Sequence, residues 1–336
     1  MSTDTTTDTV VEAAPLDAAT LEPRLAEHRG PLTGYCYRML GSAFDAEDAV
    51  QETMLRAWKG IDGFEQRAAL RSWLFRIATN VCLTMIESRS RRARPMDLSA
   101  SAWEPVEASL GARRPEDTWL EPMVDSRVLP SAGDPAEIAV ARESVRLAFV
   151  AALQHLPPRQ RAVLLLRDVL RWKADEVAQL LESTTASVNS ALQRARATLA
   201  DLPGTGSGAD LGPADLQLLE RYVAAFEAYD MTALATLLAD DVTQNMPPFE
   251  MWLEGADDLR TWMLGPGRGC RGSRLVPVGV NGQPGFAHYR PSGPGGAHEP
   301  FALVVLEVRD GAVQAITSFL DTRLFALFGI PATPGA

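Results

Sequence analysis

The chain has 336 residues, of which 46% are hydrophobic, and its formal net charge is -11. This length is enough for two or three compact domains. No uncharged apolar run approaches the roughly 20 residues that span a bilayer, and the N-terminus lacks the basic and apolar regions of a signal peptide, so we expect a cytoplasmic protein.

Cysteine usage and motif content exclude several kinds of site. The cysteines are widely scattered, so neither a disulfide framework nor a paired-cysteine metal site is predicted. They are Cys36, Cys82 and Cys270. The sequence has no phosphate loop, metal-ligand cluster or nucleophile triad, and we therefore predict no cofactor and no metal ion.

Charge is unevenly distributed along the chain. The net charge is about -4 for residues 1–19, +2 for 20–93, -4 for 94–135, +3 for 136–200 and -8 for 201–336. We expect the first of these segments to be disordered. The two mildly basic blocks are separated by an acidic segment, and this pattern indicates that nucleic-acid contact is confined to the basic blocks.

The block 20–93 has the periodicity of helices. Within FDAEDAVQETMLRAW, apolar residues at one-turn spacing predict a buried stripe formed by Val50, Met54 and Trp58. Charged residues recur at the same spacing on another face, at Asp48, Glu52 and Arg56. That face is either a solvated surface with one intrahelical ion pair or a docking surface for a basic partner.

A second helix in this block, ALRSWLFRIATNVCLTMIESRSRR, carries a basic and polar outer surface. Its predicted inner side contains Trp73, Ile77, Val81 or Cys82, and Met85. The residues predicted to point outward or to trail off the end of this helix are Arg71, Arg76, Asn80, Arg89, Arg91 and Arg92. Arginines near a helix C-terminus also stabilise the helix dipole, so this cluster has a structural explanation beside the nucleic-acid one.

Residues 94–135 contain several Pro, Gly and Ser without a sustained helical period, and they predict an extended acidic linker. A helix is predicted after Pro157-Pro158. A shorter helix, ADEVAQLL, follows, then a polar turn and a second helix that Thr184 or Thr185 can cap. This pattern indicates either a structural helix pair or, as we favour, a DNA-reading helix-turn-helix in the block 136–202.

Together, DAEDAVQETMLRAW, LRSWLFRIATN and LPPRQRAVLLLRDVLRWKADEVAQLLESTTASVNSALQRARATL resemble regions 2 and 4 of sigma-70 family factors of the extracytoplasmic-function (ECF) group. The resemblance covers about residues 20–93 and 136–200. It implies two all-α domains, a helical bundle and a helix-turn-helix. It also implies a bacterial transcription initiation subunit that binds core RNA polymerase and reads promoter DNA.

The resemblance implies roles for individual residues. Those that would dock on the clamp helices of the largest polymerase subunit are Asp48, Gln51, Glu52 and Leu55. Those that would bind the minus-ten element are Phe64, Arg67, Arg71, Arg76, Asn80, Arg89, Arg91 and Arg92. Those that would read the minus-thirty-five element are Ser187, Asn189, Ser190, Gln193, Arg194 and Arg196. One departure from the family pattern is Glu182, where glycine often ends the first helix of the motif.

After a predicted hinge at 203–212, the block 213–330 changes character. DLQLLERYVAAFEAYD predicts amphipathic helices, and RLVPVGVNGQPGFAHYR and PFALVVLEVRDGAVQAITSFLD predict strands joined by Asn-Gly and Asp-Gly turns. Helices followed by a curved antiparallel meander predict an α+β cone. The block resembles SnoaL-like, NTF2-like folds, and its fusion resembles ECF sigma factors with such an extension, including the actinobacterial groups related to SigG and SigJ.

Folds of this type enclose a pocket. The candidate lining residues are Tyr222, Phe226, Met246, Trp252, Trp262, His288 and Asp321. Three functions for this block are open: a regulator that packs on the sigma domains in cis, a sensor of a small ligand, and an enzyme. Its acidic charge favours the first, and catalysis is the least favoured. A conventional helix-turn-helix regulator is a further alternative for the whole chain, which the acidic docking helix argues against.

Overall fold

The computed structural model describes residues 18–61, 70–87, 91–130, 132, 134–202 and 211–335, with side chains of the first helix from residue 22 onward. Three helices form the first helical block: α1 Ala18–Leu40, α2 Ala43–Gly60 and α3 Leu70–Glu87. Ser42 begins α2, because its hydroxyl oxygen accepts a hydrogen bond from the Asp45 amide at 3.1 Å. None of the described helices is long and apolar enough to cross a membrane.

The buried side of α2 differs from the prediction at one position. Val50 is fully buried and Met54 is half-buried, as the spacing predicts, but the predicted burial of Trp58 is wrong, since this residue is 47% exposed. Each step of four residues rotates about 40° beyond a full turn. A spacing of eight therefore carries Trp58 off the core stripe, and Ala57 takes the buried position.

The linker folds against both of its neighbours. It contains three short 3-10 segments and one short helix, α4 Asp125–Val128. A bridge joins Ala93 to Trp119, and a second bridge joins Val124 to Val280 of the C-terminal sheet. The segment predicted as extended is thus attached along much of its described length.

The second helical block follows the linker. Its helices are α5 Pro135–Glu143, α6 Leu147–Gln154, α7 Pro158–Leu164, α8 Ala174–Leu180 and α9 Thr185–Ala200, with a π turn at Leu165–Val169. As predicted, α7 begins after Pro157. The buried side chains of α6 to α9 form one hydrophobic core with those of α1, α2 and α3. The two helical blocks are therefore packed as a single unit.

The C-terminal domain combines four helices with a six-stranded sheet in the described chain. The helices are α10 Pro213–Glu227, α11 Met231–Ala235, α12 Ala256–Leu264 and α13 Arg323–Phe328. The strands are β1 Leu238–Asn245, β2 Trp252–Glu254, β3 Arg274–Val280, β4 Gln283–Arg290, β5 Glu299–Arg309 and β6 Ala312–Phe319. Their order in the sheet is β2-β1-β6-β5-β4-β3.

The predicted antiparallel meander accounts for β3 to β6, but the sheet as a whole is mixed. After β1, the chain passes through β2 and α12 to the far edge of the sheet and starts the meander there. The last strand of the meander then returns beside β1 and pairs with it in parallel. The Asn281-Gly282 and Asp310-Gly311 turns join β3 to β4 and β5 to β6, and all four residues have positive φ, as such hairpin turns require.

Candidate polymerase and nucleic-acid interfaces

The face of α2 predicted to dock on polymerase is open in the described structure. Asp48, Gln51 and Leu55 are exposed, and Leu55 is 49% exposed. Glu52 is half-buried and forms an ion pair with Arg56 at 2.6 Å, so both the ion pair and the open face expected from the sequence are present. Sequence reasoning missed the neighbouring Trp58, whose exposure gives this face a second large apolar side chain beside Leu55.

The predicted minus-ten residues fall into three groups. Phe64, Arg67 and Arg89 lie outside the described residues. Arg76 and Asn80 lie exposed on α3. Arg71 is also exposed, but its guanidinium carbon lies 5.2 Å from the ring of Trp172, a residue of the second helical block. The remaining two arginines, like Arg71, are held by other parts of the chain.

Arg91 and Arg92 contact the second helical block and the linker, respectively. Arg91 lies 2.7 Å from Nδ1 of His155, whose pKa is lowered by burial and by the positive charge of Arg91. Arg92 is only 7% exposed, pairs with Asp45 at 2.6 Å and donates to the Trp119 carbonyl at 2.6 Å. Arg92 does lie beyond the end of α3, as one of the two predicted alternatives has it, but it is buried and not exposed. The linker carbonyls and Asp45 compensate its burial.

The helix-turn-helix consists of α8 and α9. Thr184 is the residue that caps α9, since its hydroxyl accepts from the Ser187 amide at 3.1 Å. Val188, Leu192 and Ala195 are buried. The residues predicted to read DNA are all exposed: Ser187, Asn189, Ser190, Gln193, Arg194 and Arg196. Arg196 also pairs with Asp168 at 2.6 Å, which orients its guanidinium.

The turn of this motif contains the predicted departure from glycine. Glu182 has φ 51°, in the left-handed region that glycine adopts without strain. Its side chain is exposed. Glu182 thus adopts the left-handed conformation that glycine usually supplies in this turn, and this conformation costs free energy for a residue with a Cβ.

A single buried side chain of the C-terminal domain contacts both helical blocks and the linker. Asn281, at the β3–β4 turn, donates from Nδ2 to the Tyr37 hydroxyl oxygen and to the Val145 carbonyl, each at 2.6 Å. Its Oδ1 accepts from the Met123 amide at 2.9 Å. Its own amide donates to the Met123 carbonyl at 2.8 Å. We call this set of contacts the Asn281 latch.

The backbone next to the Asn281 latch is closely packed against the second helical block and the linker. Gly282 has positive φ, and a Cβ there would lie 2.7 Å from the Arg142 carbonyl oxygen, so only glycine fits. The Gly282 amide donates to Asp125 at 2.7 Å. Burial raises the pKa of Asp125, an effect that this hydrogen bond partly opposes. Sequence reasoning identified the Asn-Gly turn only as a strand connection.

The helical blocks also contact each other directly through buried arginines. Arg38 donates to the Ser144 hydroxyl at 2.7 Å, and Arg161 donates to Gln154 at 2.6 Å and to the Met39 carbonyl. Burial lowers the pKa of Arg38 and of Arg161 to about 10, so both stay charged at neutral pH. The Arg38–Ser144 and Arg161–Met39 contacts cross between α1 and the second helical block, while the Arg161–Gln154 contact lies within the second block.

The C-terminal domain encloses a cavity of about 200 Å³. Of the candidate lining residues, five lie on its wall: Tyr222, Phe226, Met246, Trp262 and His288. The other two predictions are corrected. Trp252 lies outside the wall and donates from its indole nitrogen to Ser99 of the linker at 2.8 Å. Asp321 also lies outside the wall and pairs with Arg323 at 2.6 Å. A linker residue that the sequence did not suggest, Leu110, completes the wall.

These elements define a class of protein. A helix-turn-helix whose second helix exposes polar and arginine side chains is the arrangement of a DNA-binding protein. The chain matches the Sigma-70 region 2 family over residues 25–92, the Sigma-70 region 4 family over 146–199 and the SnoaL-like domain family over 219–316.

Relatives narrow the class. The chain is 47% identical over 309 residues to the ECF RNA polymerase sigma factor SigG of Mycobacterium tuberculosis, covering 90% of this chain and 82% of that one. It is 30% identical over 316 residues to SigJ of the same species, covering 88% and 90%. The crystal structure of SigJ shares the fold, with a TM-score of 0.57 over 91% of this chain and 98% of that one.

The chain therefore belongs to the ECF sigma factors of RNA polymerase, with a C-terminal SnoaL-like domain. Proteins of this family bind core RNA polymerase and promoter DNA, and they are initiation factors, not enzymes. The first helical block is the region 2 domain, and the second contains the region 4 domain.

Proposed function

We propose that the C-terminal domain holds the two sigma domains in a closed form that must open for initiation. In this proposal α2 docks on the clamp helices of the largest polymerase subunit through Asp48, Gln51, Glu52 and Leu55. Helix α9 reads the minus-thirty-five element, and the basic surface of α3 binds the minus-ten element. The single observation that carries the proposed regulation is the Asn281 latch.

Promoter geometry supports the need for opening. Elements named for positions ten and thirty-five lie about 25 base pairs apart, which is roughly 85 Å at ~3.4 Å per base pair. Helices that pack together lie only about 8–10 Å apart. Because α3 packs against α7 and α8 in one core, the two sigma domains must separate before both elements are bound.

The contacts of the basic residues support the same conclusion. Arg71, Arg91 and Arg92 contact Trp172, His155 and the linker, respectively. Opening would free Arg71 and Arg91 from the second helical block for the separated DNA strand, while Arg92 would keep its ion pair with Asp45 inside the first block. The docking face of α2, in contrast, is exposed already, so polymerase can make its first contact with the closed form.

The experiment is initiation in vitro with limiting core polymerase. It compares the full chain, a chain ending at Leu202, and the variant Asn281→Ala. The matched control is Asn245→Ala, because Asn245 is equally buried and its side-chain donor within the described chain pairs with Thr317 of its own domain, at 3.2 Å. We expect Asn281→Ala and the shortened chain to initiate more efficiently than the full chain, and Asn245→Ala to match it.

Equal or lower initiation by Asn281→Ala would contradict the closed-form proposal. Absence of core binding by every version would contradict the docking role of α2. The two failures are distinguishable because core binding is measured separately by co-migration with the polymerase.

A further inference from the structure

The cavity of the C-terminal domain has the size of a site for a small ring compound. Its volume is about 200 Å³, and Leu110 of the linker closes one side. An engineered apolar cavity of about 150 Å³ binds benzene. This cavity therefore has room for one six-membered ring with a small substituent.

Two polar side chains of β4 reach this cavity without satisfying their own hydrogen-bonding groups. His288 is 3% exposed, and its Nε2 has no hydrogen-bond partner among the described residues; the same holds for Nε of Arg290. Phe226 and Phe301 pack edge-on against the His288 ring, with centroids at 5.3 and 5.0 Å. Unsatisfied buried groups cost free energy, which a bound ligand with matching groups would recover.

The charge of the cavity is opposite to that of its domain. Residues 201–336 carry a net charge of about -8, yet the charged residues on the described wall are Arg260 and Arg290, with no Asp or Glu. Arg290 forms no ion pair within the described chain, and its guanidinium lies 4.4 Å from the Phe301 ring centre. A guanidinium in apolar surroundings favours a carboxylate as its partner.

The protonation state of His288 fits this role. Burial, together with the positive charge of Arg290, lowers the pKa of His288 to about 3. The imidazole is therefore neutral at pH 7 and has one N–H donor and one acceptor nitrogen. It adds a directional hydrogen bond without adding a second charge.

We propose that this cavity binds a small aromatic carboxylate, whose ring packs among the apolar side chains and whose carboxylate is held by Arg290 and His288. The ligand would contact Leu110 only while the linker is docked. Ligand binding and linker docking therefore favour each other, since coupling between two equilibria is reciprocal. This coupling, unlike the binding itself, rests on the proposed closed form, which such a ligand would stabilise.

The test of binding uses the full chain and two probes, benzoate and its neutral isostere benzamide. By titration calorimetry we expect benzoate to bind with a millimolar or lower dissociation constant, and benzamide to bind at least about tenfold more weakly. Equal affinity for the two probes, or no benzoate binding at millimolar concentration, would overturn the proposal. This comparison needs no variant and so does not depend on the folding of one.

The variant Arg290→Gln tests the assigned partner. It should reduce benzoate affinity at least about tenfold, while Arg309→Gln should leave it unchanged. Arg309 is the matched control because it pairs with Glu307 at 2.7 Å and lies outside the cavity wall. Thermal unfolding without benzoate verifies that both variants are folded, and unchanged binding by a folded Arg290→Gln would refute the assignment.

Hydrogen exchange tests whether ligand binding is coupled to docking of the linker. Benzoate should slow hydrogen exchange in the linker peptide 99–114, and Leu110→Ala should reduce both this protection and benzoate affinity. Binding without any change in linker exchange would overturn the coupling and leave the site itself standing. Neither measurement involves transcription, so failure of the proposed regulation would be seen separately.

Discussion

The side-chain nitrogen Nδ2 of Asn281 lies 2.6 Å from the hydroxyl oxygen of Tyr37, and this hydrogen bond joins residues 244 positions apart in the sequence. Tyr37 in turn donates to the Glu121 carbonyl at 2.9 Å. One hydroxyl group thus connects the C-terminal domain, the region 2 domain and the linker. In the proposed closed form, the loss of this bond would favour the separation of the domains.

Removing this hydroxyl should open the protein. Tyr37→Phe leaves one Asn281 donor and the Glu121 carbonyl without this partner, which we expect to destabilise the closed form by about 1–2 kcal/mol. Hydrogen exchange at the peptide around Val145 should then accelerate. Tyr35→Phe is the matched control, because the Tyr35 hydroxyl pairs with Thr79 within the region 2 domain at 2.8 Å. Identical exchange in both variants would argue against the latch.

Substitution of Asp48 should weaken the association with polymerase. Asp48→Asn removes an exposed charge from the α2 face, and adding Leu55→Ala removes its neighbouring apolar contact. We expect about a tenfold or larger loss of core affinity for the double variant, equivalent to about 1.4 kcal/mol. Asp175→Asn, at an exposed acid on α8, controls for net charge. Equal losses in both proteins would indicate a general charge effect instead of a docking face.

Arg194→Ala should separate promoter reading from polymerase binding. Arg194 is exposed on α9, and loss of one base or phosphate contact costs about 1–3 kcal/mol. Initiation at promoters that depend on the minus-thirty-five element should fall, while core binding persists. Arg221→Ala, at an exposed arginine of α10, should initiate normally. Loss of core binding in Arg194→Ala would point to misfolding and remove support for a reading role.

Glycine at position 182 should stabilise the region 4 domain. The left-handed conformation of Glu182 costs about 1–2 kcal/mol, and glycine would remove this cost. Part of the stabilisation is offset, because glycine loses about 0.5–1 kcal/mol more conformational entropy on folding. We expect Glu182→Gly to raise the free energy of unfolding in urea by between zero and about 1.5 kcal/mol. Glu182→Ala keeps the strained φ and should gain nothing. A stabilisation of equal size in both variants would mean that the side chain, not the backbone, is the cause.

Acid should destabilise the C-terminal domain through His288. The pKa of His288 is about 3 in the folded chain, against 6.5 for an ordinary histidine side chain, so the unfolded chain binds the proton first. Stability from this residue is complete above pH 6.5 and falls by about 1.4 kcal/mol per pH unit as pH decreases toward 3. Between pH 7 and 5, the free energy of unfolding should therefore fall more steeply for the native chain than for His288→Leu. If the free energy of unfolding has the same pH dependence in both proteins, His288 is not the origin of the acid sensitivity.

The sequence predicted most elements because their signals are local. Thr184 capping, the helix start after Pro157 and the hairpin turns each depend on a few adjacent residues. The parallel pairing of β1 with β6 depends on the path of the chain around the sheet, which no local pattern encodes. For the same reason, the sequence did not predict the contact of Trp252 with the linker or the position of Leu110 on the cavity wall. Both arise where the linker crosses the C-terminal domain.

The shared core of the two sigma domains has a quantitative consequence for the cell. A partner that binds only the open form has an apparent dissociation constant equal to the intrinsic one divided by the open fraction. If only one molecule in a hundred is open, full assembly needs about a hundredfold more polymerase than the contacts alone would require. Molecules in the proposed closed form would therefore stop at the first contact through α2, and a modest shift of the opening equilibrium would let them complete assembly together.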